Sequence, residues 1–179
     1  PTGVVRREAS TADQARDGET VILDLTIDRH LRPHKIGAPW KVRAFDAGGF
    51  VHLIWFKGHG EHLKRLAPPG ARRIVSGKVE RFNNEAQIPH PDYVLSPERA
   101  DEIPGFEAIY PATQGLTSRQ VRKLVQTALP SLPDLPEWQD LAWRAKQGWP
   151  AWREAMVALH DPRTEADCAP ETPVRRRLA

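Results

Sequence analysis

The residues with the clearest chemical potential lie between Val51 and Leu66, in the run VHLIWFKGHGEHLKRL. Phe56 closes an apolar stretch. Lys57, His59, His62, Lys64 and Arg65 follow it, spaced by Gly58 and Gly60. An aromatic ring at a strand end, beside cations and flexible glycines, suits stacking on a nucleic-acid base while the cations hold phosphates. The competing reading places Trp55 and Phe56 in the core and makes the basic residues a solvated face. Alternation along a strand sends adjacent residues to opposite sides, so at most one of the two rings enters the same core. Two further basic clusters accompany this run. Arg29, Arg32, His34 and Lys35 sit among prolines and a glycine, and Arg81 and Phe82 precede Asn83-Asn84.

Catalytic patterns are not found. Gly77-Lys78 follows Gly70, but the spacing is wrong for a phosphate loop, and Val79 stands where Ser or Thr is required. His59 and His62 flank Glu61 at a spacing that could contribute to a metal site, yet no third ligand is near, which favours exposed loop histidines. Asp24 and Asp28 share one strand face without a general-acid partner, and no nucleophile–base arrangement is visible. The single cysteine, Cys168, lies in a polar tail, which excludes a disulfide framework and a cysteine metal site and favours a reducing, cytoplasmic setting. No cofactor is expected for this chain, and without an ATPase motif it should be inactive alone.

Charge is unevenly distributed along the 179 residues. The net formal charge is +3, but from Arg29 to Arg81 twelve Lys or Arg face three Asp or Glu. A basic middle between acidic flanks is the electrostatic footprint of a surface that meets a polyanion. No apolar run is long enough for a membrane span, and no charged-then-apolar leader is present, so no membrane partner is expected. The chain begins at Pro1 rather than Met, which reads as a processed product or a piece of something longer.

The elements that must position these residues are read from periodicity. A leading segment, 1–19, is polar and lacks sustained periodicity. Val21, Leu23, Leu25 and Ile27 alternate with Asp24, Thr26 and Asp28 in a first strand, and Ile22 breaks the pattern. Trp40 to Phe45 and Phe50 to Phe56 form a hairpin through Asp46-Ala47-Gly48-Gly49, the glycines supplying positive φ. Arg73 to Phe82 is a fourth strand, with Gly77 marking a bulge or bend. Asn83-Asn84 turns the chain into a last strand at Ala86 to Ile88, ended by Pro89 and Pro91.

Five strands with a short helix or loop between the third and fourth is the order of an OB-fold Greek-key barrel, here predicted over 20–96. Residues 97–116 read as a linker. A small helical region, 117–162, follows as a connector. Thr117 and Gln120 form a capping box ahead of a stripe of Val121, Leu124, Val125 and Ala128. A second helix, 137–147, is expected to bury Trp138, Leu141 and Trp143. A third, 150–160, presents Trp152, Ala155, Met156 and Leu159 at helical spacing. Residues 163–179 read as a flexible tail. From the residues alone, three roles stay open: a module that docks on branched DNA, a sequence-tolerant single-strand DNA or RNA-binding OB module, and an OB module that binds an acidic protein.

With these pieces in order, the sequence resembles the wedge region of the bacterial replication-fork helicase RecG. The matching residues are Pro-Thr-Gly-Val at 1–4, LIWF at 53–56, VSGKVE at 75–80, HPDYV at 90–94 and YPATQGLTSRQVRKLVQTAL at 110–129. Leu159-His160-Asp161-Pro162 and Arg176-Arg177-Leu178 also fit. The resemblance implies a monomeric, nucleoid-associated DNA-binding wedge that docks at stalled forks and Holliday junctions and splits the duplex during recombinational repair. It implies that Phe56 caps the base pair at the branch point and that His62 occupies the place of a second stacking aromatic. The implied partners are branched DNA and the helicase motor domains of the same parent chain, where ATP and Mg would belong. With the basic residues read from the charge pattern and the barrel loops, the expected contact set is Phe56, His62, Lys57, Arg29, Arg32, His34, Lys35, Lys64 and Arg81.

Overall fold

A computed structural model describes residues 1, 3–33, 35, 37–56, 60–82, 85–111, 114–164, 167, 169 and 171–178. The chain forms two compact units, one of Arg7–Pro104 and one of Pro1–Arg6 with Gly105–Ala179. The class is mixed β + α.

The 7–104 unit is built on one eight-stranded mixed sheet. Its strands are β2 (Glu8–Ala9), β3 (Thr20–Leu31), β4 (Trp40–Asp46), β5 (Gly49–Trp55), β6 (Arg72–Lys78), β7 (Glu80–Phe82), β8 (Glu85–Pro89) and β9 (Tyr93–Leu95). They run in the order β7-β8-β5-β4-β3-β6-β9, with β2 added alongside β3. The alternation read in the sequence produces the core directly. Val21, Leu23, Leu25, Ile27, Val42, Ala44, Val51 and Leu53 are all buried and meet Val75, Ala86 and Ile88. Ile22, which broke the first strand's pattern, has its own destination on the other face. It packs against a second cluster of Ile74, Tyr93 and Ile103.

Among the described residues, hydrogen bonding does not close this sheet into the expected five-stranded barrel. The single strand read from Arg73 to Phe82 is two strands, and the break is at Val79 rather than at the bend inferred for Gly77. Val79 donates its N–H to the Glu19 carbonyl and accepts from Gly18 N–H, both at 2.8 Å, so its backbone leaves the ladder. Gly77 has a different reason to be glycine: a Cβ there would lie 2.5 Å from Ile88 Cγ2. In the β4–β5 turn only Gly49 takes positive φ, at 136°. Gly48 is needed for space instead, since a Cβ would sit 2.1 Å from the Asp13 carboxylate. The Asn83-Asn84 turn lies outside the described residues, but Phe82 pairs with Glu85 across it.

The other unit pairs β1 (Gly3–Arg6) with β10 (Phe106–Ile109) antiparallel. Four helices follow: α2 (Ser118–Ala128), α3 (Leu141–Gln147), α4 (Trp152–His160) and α5 (Pro173–Leu178); α1 belongs to the first unit and is described below. The capping box is present, with Thr117 N–H donating to Gln120 Oε1 at 2.8 Å and Gln120 N–H to Thr117 Oγ1 at 3.3 Å. The second predicted helix is corrected. It starts only at Leu141, because Asp140 has non-helical backbone angles and caps the helix, its carboxylate accepting from Trp143 N–H. Trp138, Leu141 and Trp143, expected in the core, are 63%, 62% and 46% exposed. The tail from 163 ends in α5, whose Arg177 is buried against Glu137 and over the Trp138 ring. Among the described residues, no helix is long and apolar enough to cross a membrane.

Candidate nucleic-acid interface

Phe56 is the first residue after β5, and its position follows from register. Trp55 pairs with Trp40 at the end of the β4–β5 ladder, and both indoles pack partly buried against the core. Phe56, one residue on, is turned outward and is 59% exposed. The ring beside it is His90, at 5.4 Å between centroids and tilted by 38°. Phe56 N–H also points to His90 Nε2 at 3.4 Å. His90 stands between Pro89 and Pro91 with φ at 46°, a left-handed backbone that a non-glycine residue adopts at a cost. Its own N–H is tied to the Ile54 carbonyl at 2.7 Å.

The segment after Phe56 is anchored by a chain of specific contacts. Helix α1 (Gly60–Leu66) begins directly against Trp40, where a Cβ on Gly60 would lie 2.5 Å from the indole. Trp40 Nε1–H donates to His30 Nδ1 at 2.9 Å. That leaves the His30 Nε2–H to donate to the Ala67 carbonyl at 2.8 Å, which fixes the tautomer and ties the end of the α1 segment to β3. Leu63 and Ala67 are buried beneath the helix, while His62 and Arg65 face solvent.

The basic residues divide by what their charges already do. Lys64 meets Glu61 at 2.6 Å in an exposed pair. This ammonium, with Arg32 and Arg65 nearby, holds the Glu61 carboxyl below its ordinary range. Arg32 is thus close enough to α1 to act on the Glu61 carboxylate. Arg29, with its side chain 59% exposed, lies 3.6 Å from Asp28, and Lys35 is exposed. Lys57 and His34 lie outside the described residues.

Arg81 departs from the expected contact set. Its guanidinium donates to the carbonyls of Ala12, Asp13 and Ala15, and its N–H donates to Asp17. It staples the 12–17 segment to β7 and is a structural residue. Asp24 and Asp28 likewise resolve into ion pairs, with Arg72 and with Arg43. Among the described residues no group of three potential metal ligands occurs. His90 lies outside the expected set because its relation to Phe56 spans 34 positions, and the Pro-His-Pro sequence is its only local sign.

No family model matches the chain. Curated proteins do. The ATP-dependent DNA helicase RecG of Acidithiobacillus ferridurans is 27% identical over 146 residues, 78% of this chain and 20% of that protein. The RecG of a Synechocystis species is 33% identical over 107 residues, 54% of this chain and 12% of that protein. The chain is homologous to part of RecG. It spans about a fifth or less of the length of the curated relatives it matches. A solved structure of RecG bound to a three-way DNA junction matches with a TM-score of 0.74 at 23% identity, covering all of this chain and 25% of that one. At that identity the likeness establishes the fold.

Proposed function

We propose that this chain is the DNA-binding wedge module of a RecG-like helicase, docking at branched DNA and splitting its strands as a motor pulls the duplex against it. The observation that carries this reading is Phe56, an apolar ring held in solvent at a strand end and backed by His90, with Lys57, Lys64 and Arg65 following it in sequence. A ring so placed stacks on an exposed base pair, and each such contact is worth about 1–3 kcal/mol. Arg29, Arg32, Lys35, Lys57, His34 and Lys64 hold phosphates without reading sequence, and His62 faces the same solvent from α1. Arg81 is left out of this set because its guanidinium is engaged on backbone carbonyls.

In this reading the sheet acts as an OB-type barrel. β6 and β7 are one run of chain bent at Val79, so the strands that pair with β3 and with β8 are covalently continuous even though the ladder is interrupted. Strand separation is steric. Rigid backing of Phe56 by the sheet keeps the ring from yielding to the duplex. ATP and Mg belong to the motor of the parent protein, and the setting is the cytoplasm, at the nucleoid, in recombinational repair of stalled forks.

The test is fork-DNA binding by fluorescence anisotropy at two salt concentrations, wild type against Phe56→Ala. Preference for forks over plain duplex, weakening with salt, and a loss of about tenfold or more in Phe56→Ala at both salts are expected. Salt-sensitive binding that ignores both the branch and Phe56 would leave a basic patch without a wedge.

A further inference from the structure

We propose that the far end of the β4–β5 hairpin carries a second stacking site, made by Phe45 and Phe50, that takes an unpaired base of a single-stranded DNA arm. The proposal rests on the DNA-binding reading above and adds a contact that Phe56 does not make. Phe45 and Phe50 are directly opposite in the ladder, with ring centroids 6.0 Å apart and planes at 64°. Their neighbours Ala44 and Val51 are fully buried, so alternation turns both phenylalanines outward, where they are 39% and 55% exposed. Neither ring serves the core, and paired exposed aromatics of this kind mark an interaction site.

The surroundings favour a base over a phosphate or an apolar peptide. Arg43 lies over the Phe50 ring at 4.7 Å and is itself fixed by Asp28 at 2.5 Å, so a positioned cation accompanies the aromatic surface. Phe45 forms one wall of a hollow of about 520 Å³ lined by Ser10, Thr11, Thr26 and the Asp24–Arg72 ion pair. The hollow is open to solvent, so a base would lie against its wall and not be enclosed. An aromatic wall with hydroxyl, carboxylate and guanidinium groups around it offers stacking together with donors and acceptors for a base edge. The carboxylates disfavour a phosphate there.

Asp46, also on the lining, is held by the N–H groups of Ala12, Gly48 and Gly49, which keeps the hairpin end rigid. Phe50 lies on the outward face of β5 and Phe56 just beyond its end, six residues apart, or about 20 Å. Ile54 between them is buried and the His52 side chain is only 14% exposed, so a strand is gripped at two ends and not along a continuous groove. Single-strand sites on small β-barrels, about 4–16 nucleotides, reach across such a span.

The experiment compares two junctions with identical paired arms, one carrying an additional single-stranded arm of about 15 nucleotides, within the range such sites cover. Wild type, Phe45→Ala/Phe50→Ala and Phe45→Leu/Phe50→Leu are titrated on both, with melting curves to check folding. Both variants should lose about 5- to 150-fold in affinity for the single-stranded arm and nothing for the paired junction. The leucine pair keeps the apolar surface without the π-faces, so wild-type affinity in that variant overturns the proposal. Equal losses on both junctions, or none on either, also overturn it, the latter pointing to a protein partner. Oligothymidylate alone is titrated in parallel. If fork preference fails but the variants still lose oligothymidylate binding, the wedge reading falls and this site stands.

Discussion

At the scale of single residues, the candidate site turns on one ring and its support. Phe56 needs only solvent and a rigid backing, and His90 supplies part of that backing from a left-handed backbone that costs about 1–3 kcal/mol. His90→Gly should relieve that strain and leave the melting temperature unchanged or raised. The same change should weaken fork binding several-fold, because Phe56 loses its neighbouring ring. His90→Ala keeps the strain and should lower both. Melting curves and anisotropy on the two variants check this, and a His90→Gly protein that binds forks like wild type would remove His90 from the site. A second histidine sets a pH dependence. His160 accepts or donates a hydrogen bond with the Tyr110 hydroxyl at 2.6 Å and stacks on its ring. Burial, with the Pro1 amino group adding to it, pushes the imidazole pKa below its ordinary value of about 6.5. The unfolded chain then binds the proton more readily than the folded one, so stability is full above the ordinary pKa and falls as pH drops through the folded one. Denaturant midpoints at about pH 7.5 and 5.5 should show a smaller decrease in His160→Gln than in wild type.

At the scale of elements, β6 packs closely against the β8 segment at Gly77. Gly77→Ala would put a methyl 2.5 Å from Ile88 Cγ2 and 3.3 Å from the Pro91 backbone, with little freedom for either to move. A destabilisation of about 1–3 kcal/mol is expected, measured by urea unfolding, with fork affinity per folded molecule retained. The same position shows what the sequence makes legible. Long strands with sustained alternation, such as Thr20–Leu31, read out most of their core directly, and so does a local device such as the Thr117–Gln120 capping box. A glycine announces that something is special but not whether the cause is φ, a bend or a neighbour. At Gly77 and Gly48 it is a neighbour distant in sequence. β1 and β10 are four residues each and pair across about a hundred positions, too short to show a period and too far apart to show a partner. Arg81 read as a phosphate ligand because it is a cation at a turn; only the fold reveals the carbonyls that occupy it. Phe56 was legible because strand alternation alone sets it apart from Trp55. His90 was not, because its role is created by the β8 end folding back beside β5.

At the scale of the molecule, the two units differ in how completely they cover themselves. Nearly all buried apolar side chains among the described residues belong to the 7–104 unit. The other unit contributes Ala108, Tyr110 and Ala155, with Pro162. It also exposes Leu116, Leu124, Leu135, Trp138, Leu141 and Trp143, several at more than 60%. Helix α2 has a capped start and a well-formed amphipathic pattern, yet none of its residues is buried. A helix whose apolar stripe is only half-covered, with Leu124 left in water, has room to pair with a surface elsewhere. The RecG relatives are several times longer than this chain, and in the proposed function the covering surface is the motor portion of such a polypeptide. The consequence is measurable on the 179-residue chain. Alone, it should self-associate with rising concentration in sedimentation velocity, because the apolar face finds copies of itself. Leu124→Glu/Leu141→Glu, at two positions exposed by 63% and 62%, should abolish that association while preserving the melting curve and fork affinity. If the variant unfolds instead, the two leucines support the unit itself and the docking assignment fails. If wild type remains monomeric at every concentration, the exposed stripe is too weakly apolar to hold a motor domain, and the link between this chain and its partner must run through another face.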